Sequence, residues 1–333
     1  MKLLVTGGLG FIGSNFIRFM LAEHKNCDII NVDALRYGSN ADNLCDLGGM
    51  DRYTYRQGDI SDEAFICRLI EDVDWVVSFA AETHVDRSIS SPGSFLHSNV
   101  LGVYSLLEAL RNHNPKARFV QISTDEVYGD ALRGSFTEES TIRPSSPYSA
   151  SKAAGDVFVL AYARTYGLEA MITRCTNNYG PYQFPEKLIP KTILRARADL
   201  KIPVYGTGMN VRDWIYVIDH CRAVEQVLLR GRKGEIYNIS AAEEKTNLEV
   251  IKTILHIMGK DENLIAFVED RPGHDLRYSL DSSKLRVELG WCPRQSFNDG
   301  MEKTVNWYLQ NESWWKPLMD DRVLHPTPWK LSW

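Results

Sequence analysis

Three glycines, Gly7, Gly10 and Gly13, stand directly after a short apolar run, Lys2–Thr6, and open a stretch with helical apolar spacing through Phe11, Ile12, Phe16, Ile17 and Met20. Few folds have a use for that order of features. A strand that turns sharply into a helix needs glycine at the turn, a second glycine lets a pyrophosphate approach the backbone, and a third lets helix and strand pack closely. The helix start then offers free N–H groups and the positive end of its dipole to the anion. Strand-like runs recur at Asp28–Val32, Tyr53–Gln57, Trp75–Ala80, Arg118–Ser123 and Ala170–Arg174, with helical patterns between most of them. That alternation predicts a parallel sheet wrapped by helices through right-handed crossovers. The expected class is α/β, a doubly wound parallel sheet of the Rossmann type with a smaller C-terminal substrate-binding region.

Past Gly180 the pattern changes. Pro181, Pro185, Pro190 and Pro203 punctuate a loop-rich stretch holding one helix near Leu188–Ala198. Trp214–Val217, a helix over Ile218–Leu229 and a strand at Ile236–Ile239 are expected to rejoin the sheet, and Leu248–Met258 and Asn298–Leu309 to be helices. The division is residues 1–180, rejoined by 211–240, for the dinucleotide, and 181–210 with 241–333 for the substrate.

A net charge of −5 with no basic stripe argues against a nucleic-acid partner. No apolar run approaches a membrane span of roughly 18 residues, and Gly7 comes too early for a signal peptide. Cysteines 27, 45, 67, 175, 221 and 292 are scattered without a Cys-x-x-Cys pair, which speaks against a metal site or disulfide framework. A cytoplasmic protein without metal is expected.

Asp33 lies 20 residues beyond Gly13, at the end of the second strand. A carboxylate there accepts the ribose 2′-hydroxyl and repels a 2′-phosphate, so NAD is expected over NADP, with Arg36 as a counter-signal. Phe11, Ile12, Ala34, Leu35, Asp59, Ile60, Ala80 and Ala81 complete the expected cofactor lining. Farther on, Ser123-Thr124-Asp125-Glu126 ends a strand with two adjacent carboxylates, and Tyr148 precedes Lys152 by four residues, one helical turn on the same face. The lysine's charge is expected to lower the tyrosine pKa and to hold the nicotinamide ribose. A tyrosine base suits alcohol oxidation. Paired carboxylates suit elimination, provided their environments push the two pKa values apart.

These motifs, with Ala80–Ser88, Asn177–Tyr182, Phe184–Pro190, Asn210–Trp214 and Asp270–Asp275, resemble the extended short-chain dehydrogenase/reductase superfamily, and within it the enzymes that dehydrate nucleotide hexoses, over almost the whole chain. Thr83 stands where serine is common there, and Arg36 where threonine is. The resemblance implies dTDP-glucose as substrate and a bound NAD recycled in each turnover. Thr124 and Tyr148 would serve C4 oxidation, Glu126 would take the C5 proton, Asp125 would protonate the leaving 6-hydroxyl, and hydride would return to C6. It further implies Thr83, Asn177, Lys187, Leu188, Pro203, Val204, Tyr205, Asn247, Asp270 and His274 as substrate contacts, with Ser98 and Asn178 on the cofactor side. Arg212 and Arg271 suit the diphosphate, because guanidinium grips phosphate oxygens bidentately. A 4-epimerase or decarboxylase of the same superfamily would share the cofactor site but not need both carboxylates. A non-catalytic dinucleotide sensor would not need Thr124, Tyr148 and Lys152.

Two helices, Ser98–Arg111 and Ser149–Ala163, are apolar nearly all round, which points to burial on more than one side. Burial under the protein's own loops and a subunit interface would both account for it; a homodimer through both helices is the expectation. The tail from Trp314 to Trp329 is unusually aromatic; it reads as a docked segment with no chemical role assigned.

Overall fold

The computed structural model describes residues 1–331. Its strands are β1 (Lys2–Thr6), β2 (Asp28–Asp33), β3 (Tyr53–Gln57), β4 (Trp75–Ser78), β5 (Arg118–Thr124), β6 (Ala170–Cys175), β7 (Asn177–Tyr179), β8 (Ile202–Tyr205), β9 (Val211–Tyr216), β10 (Ile236–Ile239), β11 (Glu244–Thr246) and β12 (Ile265–Val268). Seven form one sheet in the order β10-β6-β5-β4-β1-β2-β3, parallel at every pairing. Central β1 is sealed on both faces, with Leu3, Leu4 and Val5 fully buried, which is why it reads as a continuous apolar run. Edge strand β3 exposes Arg56 and Gln57, a polar border of the kind that discourages edge pairing.

Side chains of β1 alternate between two cores. Leu3 and Val5 join Phe16, Ile17 and Met20 of the Phe11–Glu23 helix and Val224, Val227 and Leu228 of the Val217–Arg230 helix. Leu4 joins Val76, Phe119, Val103, Leu106, Leu107 and Leu110 on the other face. Full burial of each aliphatic side chain contributes about 1.5–3 kcal/mol. Leu106 and Leu107 therefore belong to the protomer's own core. The outward face near them carries Leu101 and Tyr104, and the neighbouring Pro147–Tyr166 helix presents Val157 and Phe158. The expected Ser98–Arg111 helix is in fact a π-helical turn over His97–Leu101 followed by α-helix over Gly102–His113.

The expectation that Trp214–Val217 rejoins the sheet is corrected. Strand β9 pairs antiparallel with β11 and parallel with β7 in a separate three-stranded sheet. Its buried polar residues explain the choice. Asp213 accepts from Ser240 Oγ and Glu243 N, and Arg212 donates to the Asp275 carbonyl, so both buried groups are satisfied in this smaller sheet. Strand β10 does join that sheet, beside β6. The remaining layer packs the helices Leu188–Arg197, Asn247–Ile257 and Phe297–Gln310 around Ile193, Ile254, Val305 and Tyr308. Among the described residues no helix is long and apolar enough to cross a membrane.

Candidate active site

The strand order reverses at β1, and ligands of such sheets bind outside the carboxyl ends of the strands at that reversal. One cavity runs there from Gly10, Asp33 and Ala80 to Thr124, Tyr148 and Lys187. The glycines have distinct reasons. A Cβ on Gly13 would lie 2.4 Å from the Gly7 carbonyl oxygen, and one on Gly7, at φ +70°, would lie 2.5 Å from the Ala80 nitrogen. Gly10 would meet only the Gly7 oxygen, at 3.3 Å, and faces the cavity. Such a cradle, opening onto the first turn of a helix with unpaired N–H groups, fits the pyrophosphate of a dinucleotide.

At its far rim the Asp33 carboxylate accepts from Leu9 N, Leu35 N and Ser39 Oγ, each at 2.9 Å. Burial raises its pKa against these three donors. Arg36 donates to Asp59 and, at 3.5 Å, to Ser98 Oγ. Its charge is thus matched inside the rim, which removes much of its attraction for a 2′-phosphate. Ala34, Arg36, Asp59, Ile60, Ala81, Ser98 and Asn178 all line the cavity with Phe11 and Ile12. Leu35 does not. Its backbone turns through φ +52° and its side chain is exposed, so only its N–H serves the site.

The Pro147–Tyr166 helix is fixed at its start by a capping box, Ser146 with Ser149, and by Pro147 in the first turn; such a cap contributes about 1 kcal/mol. Tyr148 thereby occupies the first turn and Lys152 the next. Farther along, Asn99 Nδ2 donates to Ser151 Oγ at 2.9 Å and to the Glu82 carbonyl at 3.0 Å. Asp156 accepts from Arg174 Nε at 2.9 Å and Ser123 Oγ at 3.0 Å. Asn99 also accepts from Glu82 N at 2.8 Å, which fixes the backbone next to Thr83, and the Thr83 side chain is hydrogen-bonded to the Tyr148 hydroxyl.

Lys152 differs from expectation. Its ammonium donates to the Ile122 carbonyl at 2.6 Å, and burial lowers its pKa against the pull of Asp156. Burial and the Glu126 charge push the Tyr148 hydroxyl well above the usual phenol value, opposed by the hydrogen bond with Thr83.

The two carboxylates occupy different environments. Thr124 caps the 3-10 turn Asp125–Tyr128 by accepting from Glu126 N at 3.3 Å, and its hydroxyl donates to Asp125 Oδ1 at 3.1 Å. Burial first, and the Glu126 charge second, raise Asp125 well above the carboxylate range; its Oδ2 is buried without a partner. Burial also raises Glu126, but Arg271, Arg212 and Lys187 pull it back toward ionisation. Asp125 is therefore pushed toward its protonated form more strongly than Glu126, which has cations to favour its charge.

Thr83, Asn177 and Lys187 line the cavity. Arg212 and Arg271 act on Glu126 through their charge without lining it. Leu188, Pro203, Val204, Tyr205, Asn247, Asp270 and His274 also lie outside the lining. Pro203 and Val204 are buried in β8 with Tyr205 at its end. Leu188 and Asn247 open helices. His274 Nδ1 contacts Asp270 at 2.6 Å, and burial lowers its pKa to about 4, leaving it neutral at pH 7.

Sequence reasoning missed Tyr37, Ser39, Glu82, Cys175, Gln183, Phe184 and Glu186, all of which line the cavity. Glu82, Phe184 and Glu186 stand inside motifs already singled out, and Cys175 ends β6, where strand-end position was the available signal. Tyr37 and Phe184 meet only through the fold, ring to ring at 5.1 Å.

The family model described as GDP-mannose 4,6 dehydratase matches residues 4–304. The chain is 49% identical over 322 residues to the dTDP-glucose 4,6-dehydratase of Streptomyces niveus, covering 96% of each chain. It is 45% identical over 351 residues to that of Escherichia coli, covering 96% of this chain and 97% of the other. The solved structure of the Streptomyces venezuelae dTDP-glucose 4,6-dehydratase DesIV, with NAD bound, superposes with a TM-score of 0.94 at 47% identity, covering 96% of this chain and 100% of that one. The UDP-glucuronic acid 4-epimerase of Bacillus cereus is more distant, with a TM-score of 0.88 and 28% identity over 93% of this chain and 99% of the other.

Proposed function

The chain belongs to the GDP-mannose 4,6-dehydratase family, and from that premise we propose that it is an NAD-dependent hydro-lyase converting dTDP-glucose to dTDP-4-keto-6-deoxyglucose and water, a step of deoxysugar biosynthesis. The observation that carries the reading is the pair Asp125 and Glu126, adjacent in sequence yet pushed apart in acidity by what surrounds them. An epimerase has no use for such a pair. The relatives at 45–49% identity favour thymidine over guanosine.

When bound, NAD supplies a hydride acceptor for C4, a hydride donor for C6 and, while oxidised, a positive charge at the nicotinamide end. Tyr148, whose hydroxyl burial holds in the phenol form, would border that end of the cofactor, where a positive charge would favour its phenolate. Thr124 orients the 4-hydroxyl and Tyr148 takes its proton. The 4-ketone acidifies C5, Glu126 accepts that proton, and Asp125 passes its own to the departing 6-hydroxyl, which leaves as water; Glu126 then gives a proton back to C5 as C6 is reduced, and Asp125 regains its proton from Tyr148 through solvent. Lys152 holds the ribose end beside Tyr148, and Asn177, Thr83 and Lys187 border the hexose. The test is to incubate purified protein with a panel of nucleotide hexoses and no added cofactor. The dTDP-glucose product is expected to be lighter by about 18 mass units, the mass of water. A product of unchanged mass would leave an epimerase-like reaction instead.

A homodimer is also proposed. Leu101 is 44% exposed and Val157 54% exposed on neighbouring helices, and the rings of Tyr104 and Phe158 meet edge-on at 6.3 Å between them. Two helices from each copy form a four-helix contact about a two-fold axis. Leu101→Glu with Val157→Glu is expected to halve the sedimenting mass without altering the circular dichroism. A native chain that sediments as a monomer at micromolar concentration would remove the proposal. We place the reaction in the cytoplasm, consistent with all six cysteines being free.

A further inference from the structure

The aromatic tail lies beyond residue 304, where the family match ends, and the mechanism leaves it without a task. It is nevertheless tied down at several points. The Leu324 carbonyl accepts from Arg195 Nη1 at 2.7 Å and the His325 carbonyl from Lys191 Nζ at 3.3 Å, both donors being on the helix that Leu188 opens. The 3-10 turn Pro328–Lys330 then packs against the short helix Val85–Ser90, and Lys330 pairs with Glu269. Trp329, only 9% exposed, sets its ring edge-on to Tyr205 at 4.6 Å and 77°.

Tyr205 leads inward. Its hydroxyl donates to Asp86 Oδ2 at 3.2 Å, and Asp86 Oδ1 accepts from Arg271 Nη1 at 2.6 Å. Asp86 is 1% exposed, so its two acceptor positions are a fixed template for both partners. The Arg271 Nε is buried without a partner. That leaves one N–H of a guanidinium, otherwise held by Asp86, without a protein acceptor, and such a group can turn it to a phosphate oxygen. The His274 ring faces Tyr205 at 6.3 Å, so the tyrosine ring is bracketed by the tail and by the loop that carries Arg271.

We infer that Trp329 is a positioning residue for the nucleotide diphosphate, acting through Tyr205 and Asp86 on the orientation of Arg271. The inference rests on the reading of Tyr205 and Arg271 as the nucleotide end of the site. It assigns the tail a part in substrate affinity and none in the chemical step. Without Trp329 the Tyr205 ring loses its outer wall, its hydroxyl samples positions away from Asp86, and Arg271 is freed to do the same.

The experiment compares Trp329→Ala, Trp329→Phe and Arg271→Gln in the full chain, with kcat and KM for dTDP-glucose, the Kd for thymidine diphosphate by calorimetry, and bound NAD measured on each. Trp329→Ala is expected to raise KM and Kd about tenfold, with kcat changed less than about twofold and NAD content kept. Trp329→Phe should restore most of the affinity, since a ring still meets Tyr205. Unchanged KM and Kd in Trp329→Ala would overturn the inference. So would a joint fall in kcat, NAD content and Tm, which would make the tail a support for the fold alone. If Arg271→Gln binds thymidine diphosphate as the native chain does, the nucleotide reading of that loop fails and the role of Trp329 with it.

Discussion

Tyr148→Phe is expected to leave a folded protein with its NAD in place that cannot start a turnover. The substitution removes one oxygen and keeps the ring, which packs edge-on against Phe95 at 6.2 Å, so the helix start loses no packing. What it removes is the phenol, hydrogen-bonded to Thr83, that is proposed to take the 4-hydroxyl proton. General acid or base help of this kind is worth about 10²–10⁴ in rate, and here oxidation precedes every later step. On rapid mixing with dTDP-glucose, no absorbance of reduced nicotinamide should appear, and no dehydrated sugar should form. A burst of that absorbance at the native rate would show that another group takes the proton.

Glu126→Gln should fail at a different point. The amide keeps the size of the side chain but not its basicity, so C5 proton removal should slow by about 10² or more. Oxidation at C4 does not need this residue, and reduced nicotinamide should therefore accumulate on mixing. Asp125→Asn lacks the acid for the departing hydroxyl while Glu126 remains. It should lose dehydration and still exchange the C5 hydrogen with deuterated water, which mass analysis of recovered substrate would detect. Native dehydration in Glu126→Gln would dismiss the acid–base assignment. Equal loss of oxidation and elimination would mean that Glu126 shapes the site without acting on C5.

Much of the scaffold was legible because it is local. The Phe11–Glu23 helix carries the helical spacing through Phe11, Ile12, Phe16, Ile17 and Met20, and β1 and β3 have the bounds of the strand-like runs Lys2–Thr6 and Tyr53–Gln57. Where partners come from far along the chain, the sequence was silent. Strand β9 goes to a side sheet because Arg212 and Asp213 find acceptors and donors at Asp275, Ser240 and Glu243. Apolar coverage correctly marked two helices as buried on several sides, but it did not separate Leu106 and Leu107, which face the sheet, from Leu101 and Val157, which face out. The spacing of Tyr148 and Lys152 predicts a shared face, not that the ammonium turns to the Ile122 carbonyl. Substrate-side residues were visible through family resemblance alone, since nothing in a loop arginine's neighbours specifies its target.

The Pro147–Tyr166 helix is held by the Ser146–Ser149 cap at its start, by Ser151 on Asn99, and by Asp156 on Arg174 and Ser123. Together these act as a key in a lock of fixed rotation. A single residue inserted between Tyr148 and Asp156 would swing everything past it by about 100°. The helix would then have to choose between presenting its phenol to the cavity and seating its carboxylate on Arg174. Breaking that buried pair costs about 3–5 kcal/mol, a large share of the 5–15 kcal/mol that typically keeps a domain folded. Length in this segment is thus under the same constraint as residue identity, and a chain of this kind that altered the spacing would lose its catalyst or its fold.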